Sequence, residues 1–319
     1  MIRYASAFII LTVLGVLYEK YKLKFVPDEE LKKYDLIKKY LLNGSEHLGG
    51  KPIMWVHSTH NINARHWKNF GSRNSTHLNQ PYILSCIETI IKNCGKSFHI
   101  CLIDDESFMK LLPNWDINVN DLAEPVRDHI RKLGMAKILH LYGGVQIPDS
   151  MIMLKDFKPI YDKCIQSKGI FVGDSLDRTI TADYFSTTVN LNIIGCTKNN
   201  EIMVEYIKFL ELLNSRDYTN EIDFEGDMQK YLNNLAFHNK IIKLNASYFG
   251  QKDSQNKDVD IDRLMGNTYI EFNSNLIGIY IPKKMLLKRS KYGWFVRLSQ
   301  NQLRQCDNIA AKWLLIAQG

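Results

Sequence analysis

The chain has 319 residues, of which 45% are hydrophobic and 24% charged, the mix of one large globular domain or two modest ones. That composition excludes collagen-like, wholly disordered and multi-span membrane chains, and 41 basic against 34 acidic residues, a net of +7, is too mild an excess for a nucleic-acid binder. Six cysteines, none in a Cys-x-x-Cys pair, exclude a disulfide scaffold and a zinc ribbon while leaving one or two disulfides open.

The run from Tyr4 to Tyr18 carries no charge. As a helix it spans roughly 22 Å, short of a hydrocarbon core of about 30 Å. The following Glu-Lys-Tyr-Lys-Leu-Lys-Phe-Val lets snorkelling lysines extend the span. No small-residue cleavage site follows, so residues 1–26 read as an uncleaved signal anchor rather than a cleaved peptide. Lysines and arginines on both sides leave the orientation open. Sequons at Asn43, Asn74 and Asn245 are compatible with a lumenal body in the secretory pathway or another internal membrane.

Pro27-Asp28-Glu29-Glu30 opens a predicted helical stalk over residues 27–50, closed by Asn43-Gly44. The body is expected from Lys51 to Gly319. Within it, Pro52–Ser58 reads as a strand and 59–79 as a polar loop. Residues 79–93 have apolar side chains at helical spacing, 98–104 form a strand, and 124–144 form a strong helix stopped by Gly143-Gly144. A brief strand follows at Gly144–Ile147. Later strands are GIFVGD and VNLNIIG, and later helices EIMVEYIKFLELL and DMQKYLNNLAF. Alternating strands and helices predict an α/β fold with a largely parallel sheet. Ligands of such sheets bind beyond the carboxyl ends of the strands, which directs attention to His57, Asp104, Asp105 and the residues after Gly144.

Each of these has a plain structural alternative. Asp104-Asp105-Glu106 cap a helix as readily as they hold a ribose or a metal. Gly143 is an ordinary left-handed helix stop. His57, His60, His66 and His77 crowd one region without zinc-ligand spacing. No acid lies between Glu271 and Asp307, whereas Lys283, Lys284, Lys288, Arg289, Lys291, Arg297 and Arg304 do; those seven equal the whole net charge. The strip suits an anionic partner such as a diphosphate or lipid headgroups, or is simply solvated surface.

The run Leu139-His140-Leu141-Tyr142-Gly143-Gly144-Val145-Gln146-Ile147-Pro148-Asp149-Ser150 resembles the glycosyltransferases with a DxD-containing sugar-binding region, the α-1,6-mannosyltransferase and capsular-polysaccharide-synthesis type. KPIMWVHS, PYILSCIETIIKN with FHICLIDDESF, and VNLNIIGCTKNNEIMVEYIKFLE resemble flanking elements of that family, so the likeness covers about half the chain, 51–213. It implies a GT-A-like, Rossmann-type nucleotide-sugar-transferase domain, which with the apolar run read above gives an α/β domain behind an N-terminal transmembrane helix. It also implies a nucleotide-sugar donor, a glycan or glycolipid acceptor, and a divalent Mn²⁺ or Mg²⁺ held by carboxylates to neutralise the leaving diphosphate. On this reading Asp149 is the candidate catalytic and metal-binding residue. Trp55, His57, Asp104, Asp105, Lys137, Gly143, Gly144, Lys288 and Arg289 are candidates for binding the donor.

The sequence departs from the family pattern. In the register set by Gly143-Gly144, the two motif aspartates fall on Pro148 and Ser150, with Asp149 between them. The Asp and Arg of the family's Ser-Asp-x-x-Arg fall on Lys132 and Met135. Three outcomes stay open: a shifted register using Asp149, metal-independent transfer aided by cationic side chains, or a catalytically inactive protein of the same fold with a binding or structural role.

Overall fold

The chain divides into two compact units, Met1–Tyr40 and Leu41–Gly319. The computed structural model describes residues 50–58, 80–176, 187–216, 221–288 and 290–319, all in the second unit. The apolar span, the stalk, the loop 59–79 and the sequons at Asn43 and Asn74 therefore lie outside the described residues. Among the described residues no helix is long and apolar enough to cross a membrane.

Six strands form the main sheet: β1 (Ile53–His57), β2 (His99–Ile103), β3 (Gly144–Pro148), β5 (Ile170–Leu176), β6 (Thr187–Cys196) and β7 (Ile242–Leu244). Their order is β2-β1-β3-β6-β5-β7. β1 pairs parallel with β2 and β3, and β5 pairs parallel with β7, while β6 runs antiparallel to both β3 and β5. Five strands therefore share one direction and β6 alone opposes them, so the sheet is largely parallel with one reversed strand. β4 (Met151–Met153) and β8 (Gly278–Tyr280) make a separate antiparallel pair.

β1 is central, and Met54, Trp55 and Val56 are all fully buried. A parallel strand covered on both faces needs apolar residues in succession rather than in alternation. Met54, Val56, Ile100, Val145, Ile147, Phe171 and Ile193 point into one continuous core. That core is filled from α1 (Pro81–Cys94), α4 (Lys158–Lys168), the β4–β8 pair and the C-terminal helix α11 (Ile309–Gln318). α3 (Val126–Tyr142) and α5 (Glu201–Asn214) pack against one another and α3 against β3 and β6. The predicted helix at 227–237 begins earlier, as α6 (Glu221–Phe237). α2 (Ser107–Leu111), α7 (Ile261–Met265), α8 (Lys283–Lys288), α9 (Gly293–Val296) and α10 (Gln300–Arg304) are short.

Local chemistry sets the boundaries. Pro81 opens α1, and the Asn200 and Asn308 side chains accept from the Met203 and Ala311 amides to cap α5 and α11. Gly169, left-handed, ends α4. Gly144 has φ +99°, and a Cβ there would lie 2.1 Å from the Ile53 carbonyl oxygen, so only glycine lets β3 approach β1. All six cysteines are unpaired, five of them buried.

Candidate functional site

Register alone gathers a polar rim. His57 lies opposite Ile103 of β2 and Pro148 of β3. The residues just past the three parallel strands, namely Ser58, Asp104-Asp105 and Asp149, therefore meet at one edge, the place where α/β sheets bind ligands.

At the β1–β2 end, the His57 ring contacts the Asp105 carboxylate through Nε2 at 3.0 Å and stacks on Phe108 at 5.4 Å. Arg131 of α3 donates to both Asp105 oxygens, at 2.9 and 2.7 Å, and to Glu124 at 3.1 Å. Burial alone would raise the Asp105 pKa, but hydrogen bonds and charge from His57 and Arg131 override it and hold the carboxyl well below the usual carboxylate range. Asp104 accepts from the Ser107 amide at 3.0 Å and its hydroxyl at 2.6 Å, which is the helix-start arrangement.

One turn along α3, Asp128 accepts from Lys284 at 2.8 Å, and Lys284 also reaches Glu225 of α6 at 2.8 Å. Burial opposes ionisation of Asp128, yet the charges of Lys132, Lys284 and Arg131 bring its pKa down to about 2. Lys132 donates to Asn192 Oδ1 of β6 at 2.5 Å, and the Asn192 amide donates to the Tyr280 hydroxyl at 3.4 Å.

Asp149 is 4% exposed and accepts from Lys283 at 2.8 Å. Strand pairing explains that contact. Met151 lies opposite Tyr280, and the Ser150 hydroxyl donates to the Ile281 carbonyl at 2.7 Å, so the next residues of each segment converge. The basic strip thus reaches the rim through Lys283 and Lys284. The Lys288 and Arg289 side chains lie outside the described residues.

The other sequence candidates sit elsewhere. Trp55 is fully buried and donates its indole N–H to the Gly143 carbonyl at 2.9 Å, tying β1 to the end of α3. Lys137 pairs with Glu211 at 2.7 Å and lies 5.8 Å from the Trp115 ring centre, so it joins α3 to α5. Gly143 and Gly144 take left-handed conformations that the turn and the β1 approach require.

Sequence reasoning overlooked Asp128, Arg131, Asn192 and Tyr280, and it named Lys283 only as part of the basic strip. A signal existed for two of them: Asp128-x-x-Arg131 has the family's Asp-x-x-Arg spacing four residues upstream of the expected register. Four residues is one helical turn, which preserves the face.

Asp149 is poorly placed to hold a divalent cation. Pro148 and Ser150 supply no second carboxylate, and the one present already faces an ammonium. Among the described residues no group of three or more His, Cys, Asp or Glu side chains gathers as a metal cluster. That donor set does not fit a divalent ion.

No protein-family model and no curated protein matches the chain. Among solved structures, one titled PaToxG Glycosyltransferase is similar over 66% of this chain and 80% of its own, at 16% identity and a TM-score of 0.30. A superposition that loose bears on neither the fold nor the activity of this chain.

Proposed function

We propose that the protein is a glycosyltransferase that moves a sugar from a nucleotide-sugar donor to a glycan or glycolipid acceptor, with lysines in place of a metal ion at the leaving diphosphate. The single observation that carries this reading is the meeting of Lys283 and Lys284, from the basic strip, with Asp149 and Asp128 at the carboxyl end of β3. The resemblance around Gly143-Gly144 adds to it. In the reaction the bond from the sugar C1 to the diphosphate oxygen breaks, the nucleoside diphosphate leaves with the bonding electron pair, the acceptor oxygen bonds to C1, and the acceptor hydroxyl gives its proton to the Asp149 carboxylate. Negative charge grows on the diphosphate, and preset ammonium groups stabilise it without reorganisation. Lys283, Lys284 and Lys132 supply that charge. Asp149 is the candidate carboxylate beside the reacting centre, and His57, fixed by Asp105, lines the β1 side of the rim. On this reading the apolar segment near the amino terminus holds the enzyme at its membrane.

The test is a thermal-shift screen of the chain against UDP-, GDP- and CMP-sugars, with and without Mn²⁺. A shift by one donor that needs no Mn²⁺ and is lost in Lys283→Ala supports the reading. A shift only with Mn²⁺ overturns the lysine role, and no shift with any donor overturns the transferase. Donor binding without sugar transfer to any acceptor would favour the inactive relative, the reading that the missing second carboxylate recommends.

A further inference from the structure

Away from the strand ends, a groove of about 340 Å³ opens between the end of α1, the segment after β4, residues 269–276 and helix α11. Its apolar part is aromatic. Phe272 meets Trp313 edge to face, with centroids 5.4 Å apart and planes at 75°, and Tyr269 stands 76% exposed beside them. Its polar part is equally definite. Asn93 is fixed by donating to the Thr89 and Met153 carbonyls at 3.0 and 2.9 Å, which leaves its amide oxygen as an acceptor. Lys92 and Lys155 are held at the rim by the main-chain carbonyls of Gln318 and Ser274, each at 2.7 Å. Neither lysine forms an ion pair among the described residues: Glu88, one turn before Lys92 on α1, accepts instead from the Gln318 side-chain amide at 2.9 Å, and no carboxylate lines the groove itself.

We propose that this groove binds an acidic saccharide. Aromatic rings present flat apolar faces that match the C–H face of a pyranose. Amide and ammonium groups match its hydroxyls and an attached carboxylate or sulfate. The volume lies at the small end of the range for ligand sites and suits a short saccharide. An acyl chain would cover the Asn93 amide oxygen without giving it a donor and would leave both ammonium charges without a counter-charge, a cost that an acidic sugar does not incur. The groove is separate from the strand-end rim: Cys86 of α1 feels the Asp149 charge, whereas Lys92 follows six residues later, about 9 Å farther along the helix. It therefore acts as a holding site for a chain, and its occupancy does not depend on the transfer reaction proposed above.

The experiment titrates the 319-residue chain with a hyaluronan tetrasaccharide and, in parallel, with neutral maltotetraose, by calorimetry and by tryptophan fluorescence. Saturable binding of the acidic sugar with at least about tenfold preference over the neutral one is expected. Tyr269→Ala, at an exposed position that cannot compromise folding, and Trp313→Ala should each weaken it about tenfold, and Lys92→Ala with Lys155→Ala should abolish the preference. Nucleotide-sugar thermal shifts should be unchanged in all of these variants, which separates this site from the rim. Equal binding of both sugars, no binding of either, wild-type affinity in Tyr269→Ala, or binding to phosphatidylserine vesicles in place of the saccharide would each overturn the proposal.

Discussion

Replacing Lys283 by alanine tests the rim most directly, because the two members of the Lys283–Asp149 pair are unequally buried. The Asp149 side chain is 5% exposed and the Lys283 side chain 23%. Removing the lysine strands a carboxylate in a site already lined by Tyr82, whose pKa burial raises first and the Asp149 charge raises further. Breaking a buried pair from that side costs about 3–5 kcal/mol. Asp149→Asn leaves an ammonium that can turn to water on its flexible stem, so its cost is about 1 kcal/mol. The double variant removes the stranded charge and should recover about 2 kcal/mol relative to the sum of the singles. Urea unfolding followed by circular dichroism measures all three. At about 2–4 °C per kcal/mol for a domain of this size, Lys283→Ala should also lower Tm by roughly 6–20 °C. If Asp149→Asn costs as much as Lys283→Ala, or the two effects simply add, the pair is not the charge-balanced unit described here.

Gly144→Ala should cost at least about 3 kcal/mol, since its Cβ meets a backbone oxygen at 2.1 Å, while Gly143→Ala, with a nearest contact of 2.9 Å, should cost less; chemical denaturation checks the order. Asp105 and Asp128 have lowered pKa values in the folded chain, so their stabilisation is present above the ordinary carboxylate range and is lost as pH falls, for Asp128 through about 2. The urea midpoint should therefore drop below about pH 4, and less steeply in Arg131→Met. Glu225→Gln, which relieves Lys284 of one of the two carboxylates it meets among the described residues, should tighten nucleotide-sugar binding about threefold in the thermal-shift assay. Carbonate extraction of the expressed protein should leave it in the membrane pellet; release at a mass lacking the first residues would refute the uncleaved anchor.

The α/β class was legible because its signals are local. Apolar runs such as IMWVH and HICLI are too short for helices and too uniformly apolar for half-exposed strands, and Gly143-Gly144 punctuates the strongest helix. The reversal of β6 was not legible, since strand direction is set by where the chain re-enters the sheet and not by residue type. The strand-end rule put Asp149 and Asp105 at the carboxyl ends of β3 and β2, which is where they lie. Asp128 and Arg131 were passed over because a fixed register was imposed on a helix, where one turn changes the position and keeps the face. Lys283 was named in the basic strip, but its contact with Asp149, 134 residues away, was not legible, because it depends on the three-residue pairing of β4 with β8.

The charges at the rim constrain how a donor would bind. Four cations, Arg131, Lys132, Lys283 and Lys284, stand among Asp105, Asp128, Asp149, Glu124 and Glu225. Nearly every ammonium or guanidinium already faces a carboxylate, so an incoming diphosphate must compete for the lysines instead of meeting bare positive charge. Arg131 is the worst candidate for exchange, because its two-point grip on Asp105 is buried and pulls that carboxylate far from protonation. Lys284 is the best, because it divides one charge between at least two acids, Asp128 and Glu225, and is 45% exposed. Lys283 lies between them, since moving it uncovers Asp149. A donor would thus engage Lys284 first and draw Lys283 afterwards, freeing the Asp149 carboxylate only once the diphosphate is seated. In that order the carboxylate becomes available to the acceptor hydroxyl only in the loaded site. Glu225→Gln should then strengthen binding without raising transfer at saturating donor, whereas a parallel rise in both would place Lys284 at the reacting bond instead.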